Sequence, residues 1–296
     1  MVSDRVLSPS ELRALSGRGD AEGAWRLAVH AALLAGTGSL VAISGPVTLV
    51  PAMLAFGLVQ VALFAPAHEA THQTAFVSRR ANLIVGWLAA CPSLLNLQFY
   101  TAFHFAHHRH TQIPGQDPEL DMELPNTLGA YVRRILGVPY WRLRLLVIAD
   151  CWRGDLSRYP YVSEQAAPAI IRSVRAMSLT MVGGSVASMV LFGWATPLVF
   201  WILPQLLCQP FLRAYVLAEH TGCTQDRNGL TNTRTTLTNA AVRLLMWNMP
   251  YHVEHHLYPA IPFHRLPALH REVRDRLRHI APGYLAANRE IIQGLS

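Results

Sequence analysis

Three short stretches carry histidines at the spacing of a helical turn: HEATH (His68 and His72), HFAHH (His104, His107 and His108) and HVEHH (His252, His255 and His256). A helix turns once every 3.6 residues, so the rings of each box share one face. Imidazoles aimed at one point suggest a metal site, because neutral histidine is the commonest metal ligand. For any single box, a polar helix face that happens to carry histidine explains as much. The first box is also H-E-x-x-H, the zinc metalloprotease motif in which Glu69 would act as general base.

With His220 the inventory is nine histidines. That is too many for one tetrahedral zinc, which takes about four ligands, and it suits two metals of five or so ligands each. Ligand type does not choose the metal, since imidazole favours iron, copper and zinc alike.

The elements that must bring the boxes together are mostly apolar. The 296 residues are 51% hydrophobic and only 15% charged, which points to a membrane before anything else. Four apolar runs are long enough, or nearly so, to cross ~30 Å of hydrocarbon: about 27–43, 47–66, 177–192 and 197–218. They pair as two hairpins, whose turns Ser44 to Pro46 and Gly193 to Thr196 carry no charge. The net charge of +7 comes from 25 arginines without a lysine, and all of them fall at the other ends of the runs. By the positive-inside tendency those ends are cytoplasmic. The expected protein is all-α, with a helical cytosolic cap from 67–176 and 219–296 carrying the histidines, in one domain over 1–296.

A further run, Asn82 to Phe99, is broken at Cys91-Pro92. A single crossing there would put the first two boxes on opposite sides of the membrane, so a re-entrant or interfacial pair of short helices is expected. The acidic stretch with Asp117, Glu119, Asp121 and Glu123 reads as a solvated loop. Residues 128–176, with Arg133, Arg134, Arg172, Arg175 and others among aromatics, read as helices at the membrane surface. Ser8 before Pro9 is a helix start. Asp4, Glu11, Asp20 and Glu22 precede the first apolar run, which is wrong for a cleavable signal peptide.

Taken together, HEATH, HFAHH and HVEHH resemble the three histidine boxes of the integral-membrane fatty acid desaturase and hydroxylase superfamily. The likeness extends from NTRTTLTN through NMPYHVEHHLYPAIPFHRLP. The resemblance implies a non-haem centre of two Fe ions just inside the cytoplasmic face, above a substrate tunnel between the spans. Its ligands would be His68, His72, His104, His107, His108, His220, His252, His255 and His256, with His220 carried over as a single position at the end of the fourth run. It also implies O2 as co-substrate and removal of hydrogen from an unactivated C–H bond of a lipid or other hydrophobic substrate. Desaturation of an acyl chain is the first expectation. Hydroxylation or ketolation of a fatty acid, alkane, carotenoid or small substrate is the alternative.

The cysteines, Cys91, Cys151, Cys208 and Cys223, are scattered without a C-x-x-C pair, so they offer neither an iron-sulfur site nor a disulfide framework. Electrons are then expected from a separate ferredoxin, rubredoxin or cytochrome b5 type donor with its reductase. A nucleic-acid partner is not expected, because no basic stripe alternates with aromatics. The expected location is a bacterial inner membrane, multi-pass, with the active site and both termini cytoplasmic. His30, His110, His264, His270 and His279 fit no box and read as packing, surface or ligand-supporting residues. Asn248 reads as a helix cap.

Overall fold

The computed structural model describes residues 6–121 and 124–295; Asp4 and Glu123 lie outside them. The first half contains α1 (Pro9–Leu15), α2 (Asp20–Ile43), α3 (Leu49–Ala62), α4 (Phe64–Thr71), α5 (Arg79–Ala90), α6 (Leu97–His110), α7 (Leu128–Ile135) and α8 (Val138–Arg153). After α9 (Ala167–Phe192) and a π-helical turn, Leu198–Ile202, come α10 (Leu203–His220), α11 (Ala240–Leu245), α12 (His252–Leu257), α13 (Leu266–Val273) and α14 (Tyr284–Gln293). A two-residue parallel ladder pairs β1 (Thr235–Thr236) with β2 (Ile280–Ala281).

Local chemistry accounts for several of these boundaries. Ser8 Oγ accepts from the Glu11 amide while Glu11 accepts from the Ser8 amide, which closes a capping box on α1. Asn96 Oδ1 accepts from the Phe99 amide and starts α6.

Three stretches are long and apolar enough to cross a membrane: α2, the continuous path Leu49–Thr71 formed by α3 and α4, and α9. Their outer faces carry residues such as Ile43, Val190 and Phe192, each more than three-quarters exposed. A hydrocarbon solvent removes the cost of such faces. Two starts differ from expectation. α2 begins at Asp20, with Asp20 and Glu22 in its first turn where acidic groups favour a helix N-terminus. α9 begins at Ala167, so Arg172 and Arg175 belong to its first turns rather than to a separate surface helix. Arg175 bonds back to the carbonyls of Cys151 and Trp152 on α8.

The helix over 198–220, expected from the sequence as the fourth span, is not among these three stretches, and its interior is more polar than theirs. Gln205, Gln209 and Glu219 are buried on it. It packs chiefly on α3, and a Cβ at Gly57 would run into the Pro204 carbonyl. α9 packs instead on α8 and α6. A cleft of about 190 Å³, lined by Met181, Ser185, Phe200 and Trp201 among others, separates α9 from the π-turn. α5 and α6 meet at 93° across the Cys91–Ser93 turn, where Leu94 has φ +49. That bend returns the chain, so the end of α6 lies beside the end of α4.

Candidate metal centre

Four elements deliver the histidines. α4 and its C-cap carry His68 and His72, the last turns of α6 carry His104, His107 and His108, and α10 ends on His220. The short α12 carries His252, His255 and His256. Six residues are too few to be helical alone, so α12 depends on its surroundings. The Val253 amide donates to Thr235 Oγ1, and buried Glu254 takes the Thr235 hydroxyl at 2.5 Å on one oxygen and His270 Nδ1 on the other. Asn248 does not cap this helix. It sits at φ +59 after Trp247 at φ +47, donates to the Phe263 carbonyl, and leaves the N-cap to Tyr251.

The nine rings come together in two adjoining groups. In one, single nitrogens of His68, His72, His104, His108 and His255 all lie within 4.8 Å of one another; in the other, so do those of His107, His220 and His256. His252 joins the second group, with Nε2 3.2 Å from His220 Nε2 and 3.1 Å from His256 Nε2. The rings of His108 and His256 stack at 4.2 Å between the groups.

The donor set fits a metal. His104 Nε2 lies 2.9 Å from His72 Nε2 and 3.0 Å from His108 Nε2, and His108 Nε2 is 3.2 Å from His255 Nε2. A ring nitrogen of a neutral imidazole gives or takes one hydrogen bond, so His104 Nε2 and His108 Nε2, each close to two other Nε2 atoms, cannot be bonded to both. Both nitrogens of buried His68 have no hydrogen-bond partner among the described residues. Burial, and then the neighbouring imidazoles, hold His252, His255 and His256 below the ordinary histidine range. Their lone pairs are therefore available.

Behind the rings, several Nδ1 atoms face protein groups. His107 Nδ1 meets Asp117 at 2.9 and 3.0 Å, His220 Nδ1 meets the Asn232 carbonyl at 3.2 Å, and His252 Nδ1 lies 3.4 Å from Glu219. A proton held on Nδ1 leaves Nε2 to face inward. The acidic segment is thus not simply solvated. Asp117 is 1% exposed and also takes the amides of Gln112 and Glu119, although Asp121 is exposed. Burial pushes the Asp117 carboxyl up, but its bond to His107 and those amides outweigh this and hold it below the carboxylate range. Spacing alone could not separate Asp117 from its acidic neighbours; the turn after the second box, which brings it back under α6, is a tertiary feature.

Among the other histidines, His30 Nε2 meets the Val59 carbonyl at 2.8 Å and ties α2 to α3, while His270 supports Glu254. Glu69 does not stand where a protease base would. It accepts the Thr74 hydroxyl at 2.7 Å and lies 3.7 Å from His68 Nδ1.

Comparison with known proteins is consistent with this geometry. The fatty acid desaturase family model matches residues 44–287. A dihydrorhizobitoxine desaturase of Bradyrhizobium elkanii is 28% identical over 79% of this chain and 68% of its own length. A sphingolipid delta(4)-desaturase DES1-like protein of Oryza sativa subsp. japonica is 26% identical over 75% of this chain and 60% of its own. A beta-carotene ketolase of a Paracoccus species is 28% identical over 75% of this chain and 79% of its own.

Proposed function

The chain belongs to the fatty acid desaturase family, and from that premise we propose that it is an O2-dependent, di-iron membrane oxidase that introduces a double bond into an acyl-type substrate. The convergence of nine histidine rings in two adjoining groups is the observation that carries this reading. His68, His72, His104, His108 and His255 would hold one iron, and His107, His220, His252 and His256 the other. When bound, the two irons supply reductive activation of O2 and an oxidant able to take hydrogen from an unactivated C–H bond. In balance, one CH2–CH2 unit, one O2, two electrons and two protons give CH=CH and two waters.

The protein's part is positioning and exclusion of water. Asp117 and the Asn232 carbonyl hold protons on Nδ1 atoms and fix the inward aim of His107 and His220, while Glu219 lies 3.4 Å from His252 Nδ1 without a hydrogen bond to it. Tyr100, its ring stacked on His104 at 5.0 Å and its hydroxyl 3.4 Å from His104 Nδ1, closes one wall with Phe64, which lies against His68. The free thiols Cys91, Cys151, Cys208 and Cys223 sit in different elements, which supports a separate ferredoxin, rubredoxin or cytochrome b5 type donor. Charge-free turns at 44–46 and 193–196 and arginine at the opposite ends support two hairpins, with the histidine cap and both termini cytoplasmic in a bacterial inner membrane.

The two desaturases among the relatives favour loss of hydrogen, and the ketolase keeps oxygen insertion as the second reading. Purified protein is expected to hold about two irons per chain, most of it lost on His107→Ala or His255→Ala. Co-expression with a reductase and donor, followed by mass spectrometry of acids, lipids and pigments, separates the reactions. A product lighter by two hydrogens supports desaturation, and one heavier by an oxygen moves the assignment to the second reading. One zinc and peptide hydrolysis would overturn both.

A further inference from the structure

On α7, Leu128, Val132 and Leu136 recur every four residues, and on α8, Val138, Leu145 and Trp152 recur every seven. Each spacing keeps its line on one side of the helix, and all six side chains are 46–59% exposed. Arg133 stands three residues from Leu136, and Arg142 stands four from Val138 and three from Leu145, so an arginine borders each line. Both arginines line a cleft of about 500 Å³ between α7, α8 and the segments that follow α6 and α8. Arg158 and Asp121 complete its charged lining, and its apolar lining includes Phe103, Leu143 and Leu146. Arg158 is committed to Asp150 at 3.0 Å. Arg133 and Arg142 are exposed and have neither an ion pair nor a hydrogen bond among the described residues. Two uncommitted guanidiniums therefore share the cleft with one exposed carboxylate, that of Asp121.

We propose that α7 and α8 form a seat for an anionic phospholipid of the surrounding bilayer, with its phosphate between Arg133 and Arg142 and its chains along the two exposed apolar lines. The proposal rests on the chain's residence in a membrane and not on the reaction of its metal centre. An amphipathic helix with a basic border lies in the headgroup plane, its apolar side in the acyl region and its arginines reaching up to the phosphates. Trp152 fits the same level, since tryptophan gathers at the boundary between lipid and water. α7 packs on α10 and α8 on α9, so both lines adjoin helices that are themselves exposed at apolar residues such as Leu179, Leu207 and Phe211. A guanidinium fork matches a pair of phosphate oxygens. An acidic soluble protein could answer the arginines but would leave the apolar lines uncovered. A zwitterionic lipid would cover the lines but bring no net charge. An anionic lipid does both.

The test places the full chain in nanodiscs of phosphatidylcholine, alone or with phosphatidylglycerol, and reads thermal unfolding together with native mass spectrometry of the lipid retained. The parent is expected to keep phosphatidylglycerol in preference to phosphatidylcholine and to unfold at a higher temperature in its presence, because a ligand that binds only the folded state stabilises it. Arg133→Gln and Arg142→Gln should each lower that preference about fivefold, and the double variant about 30-fold. In phosphatidylcholine alone the double variant should unfold with the parent, since both side chains are exposed. A fall there would mean that the arginines have partners inside the fold, and would overturn the proposal. Arg80→Gln removes an exposed arginine at the start of α5, outside the cleft, and should leave the preference in place. A loss as large as in the cleft variants would show diffuse attraction to a charged leaflet instead of a seat. Equal retention of the two lipids by the parent, or a preference unchanged in the double variant, would also sink the idea. Inorganic phosphate that reproduced the whole stabilisation in phosphatidylcholine would make the cleft a site for a free anion. Stabilisation by an acidic ferredoxin, absent from the double variant and unmatched by phosphatidylglycerol, would give the surface to a protein partner.

Discussion

Asp117 shows how far one side chain can act through another. Its carboxylate holds His107 Nδ1 and is itself fixed by two backbone amides. Asp117→Asn keeps the volume but weakens the orientation of His107, and removing such support lowers metal affinity by about 10–100-fold. Competition with a graded chelator should read this directly; an unchanged midpoint would show that His107 needs no help. The third box makes a pH prediction. Burial first, and neighbouring imidazoles second, keep His252, His255 and His256 below their ordinary value of 6.5 when folded. The unfolded chain takes up these protons earlier on acidification, so chelator-treated protein should lose stability as pH falls below about 6.5. Metal loading should move that loss to lower pH, because ligation withholds the same nitrogens. Unfolding temperatures that stay level through that range would sink the argument.

At the scale of elements, α12 is the most dependent piece. It presents three histidines from six residues, and Glu254 anchors it to Thr235 and His270. Glu254→Ala strands both partners in a buried site, and breaking such a pair costs about 3–5 kcal/mol. Thermal unfolding should fall accordingly and iron should be lost with it, whereas Glu254→Gln should recover part of both. The junction of α3 with α10 is the other element on which the cluster rests, since one path leads to His68 and the other to His220. Gly57→Leu forces its side chain onto the Pro204 backbone, an overpacking of about 1–3 kcal/mol. The expected result is a less stable chain with reduced iron, and a milder loss for Gly57→Ala. Wild-type iron and stability in both variants would mean that the two helices can separate without disturbing the centre.

The whole molecule is a bundle whose apolar outer faces need lipid and whose histidines need burial from water. A cysteine-free background carrying single cysteines at Gly45, Ala195 or Asn228 tests its orientation. The first two should react with a membrane-impermeant thiol reagent from one side and the third from the other. Labelling of all three from the same side would dismantle the two-hairpin arrangement. The separation of α9 from the π-turn by a cleft shows why hydropathy alone describes the second pair of runs incompletely. Runs of apolar residues report that a segment prefers lipid, but not which neighbour it packs on. α10 chooses α3 because Gly57 permits close approach.

By itself, the spacing of HEATH, HFAHH and HVEHH determined that three faces could ligate metal, since helical periodicity is local and needs no partner. The break at Cys91-Pro92 likewise announced the bend between α5 and α6, because proline limits the backbone wherever it occurs. Only the tertiary structure decided that His252 groups with His220 and His256, that Asp117 turns inward under His107 while Asp121 stays exposed, and that Asn248 bonds to Phe263 instead of capping α12. It also decided that Arg144 and Arg213, unremarkable among 25 arginines, share one ring and one cavity. Those outcomes depend on which segments meet across the fold, and no spacing within a segment encodes the distance between residues on different helices.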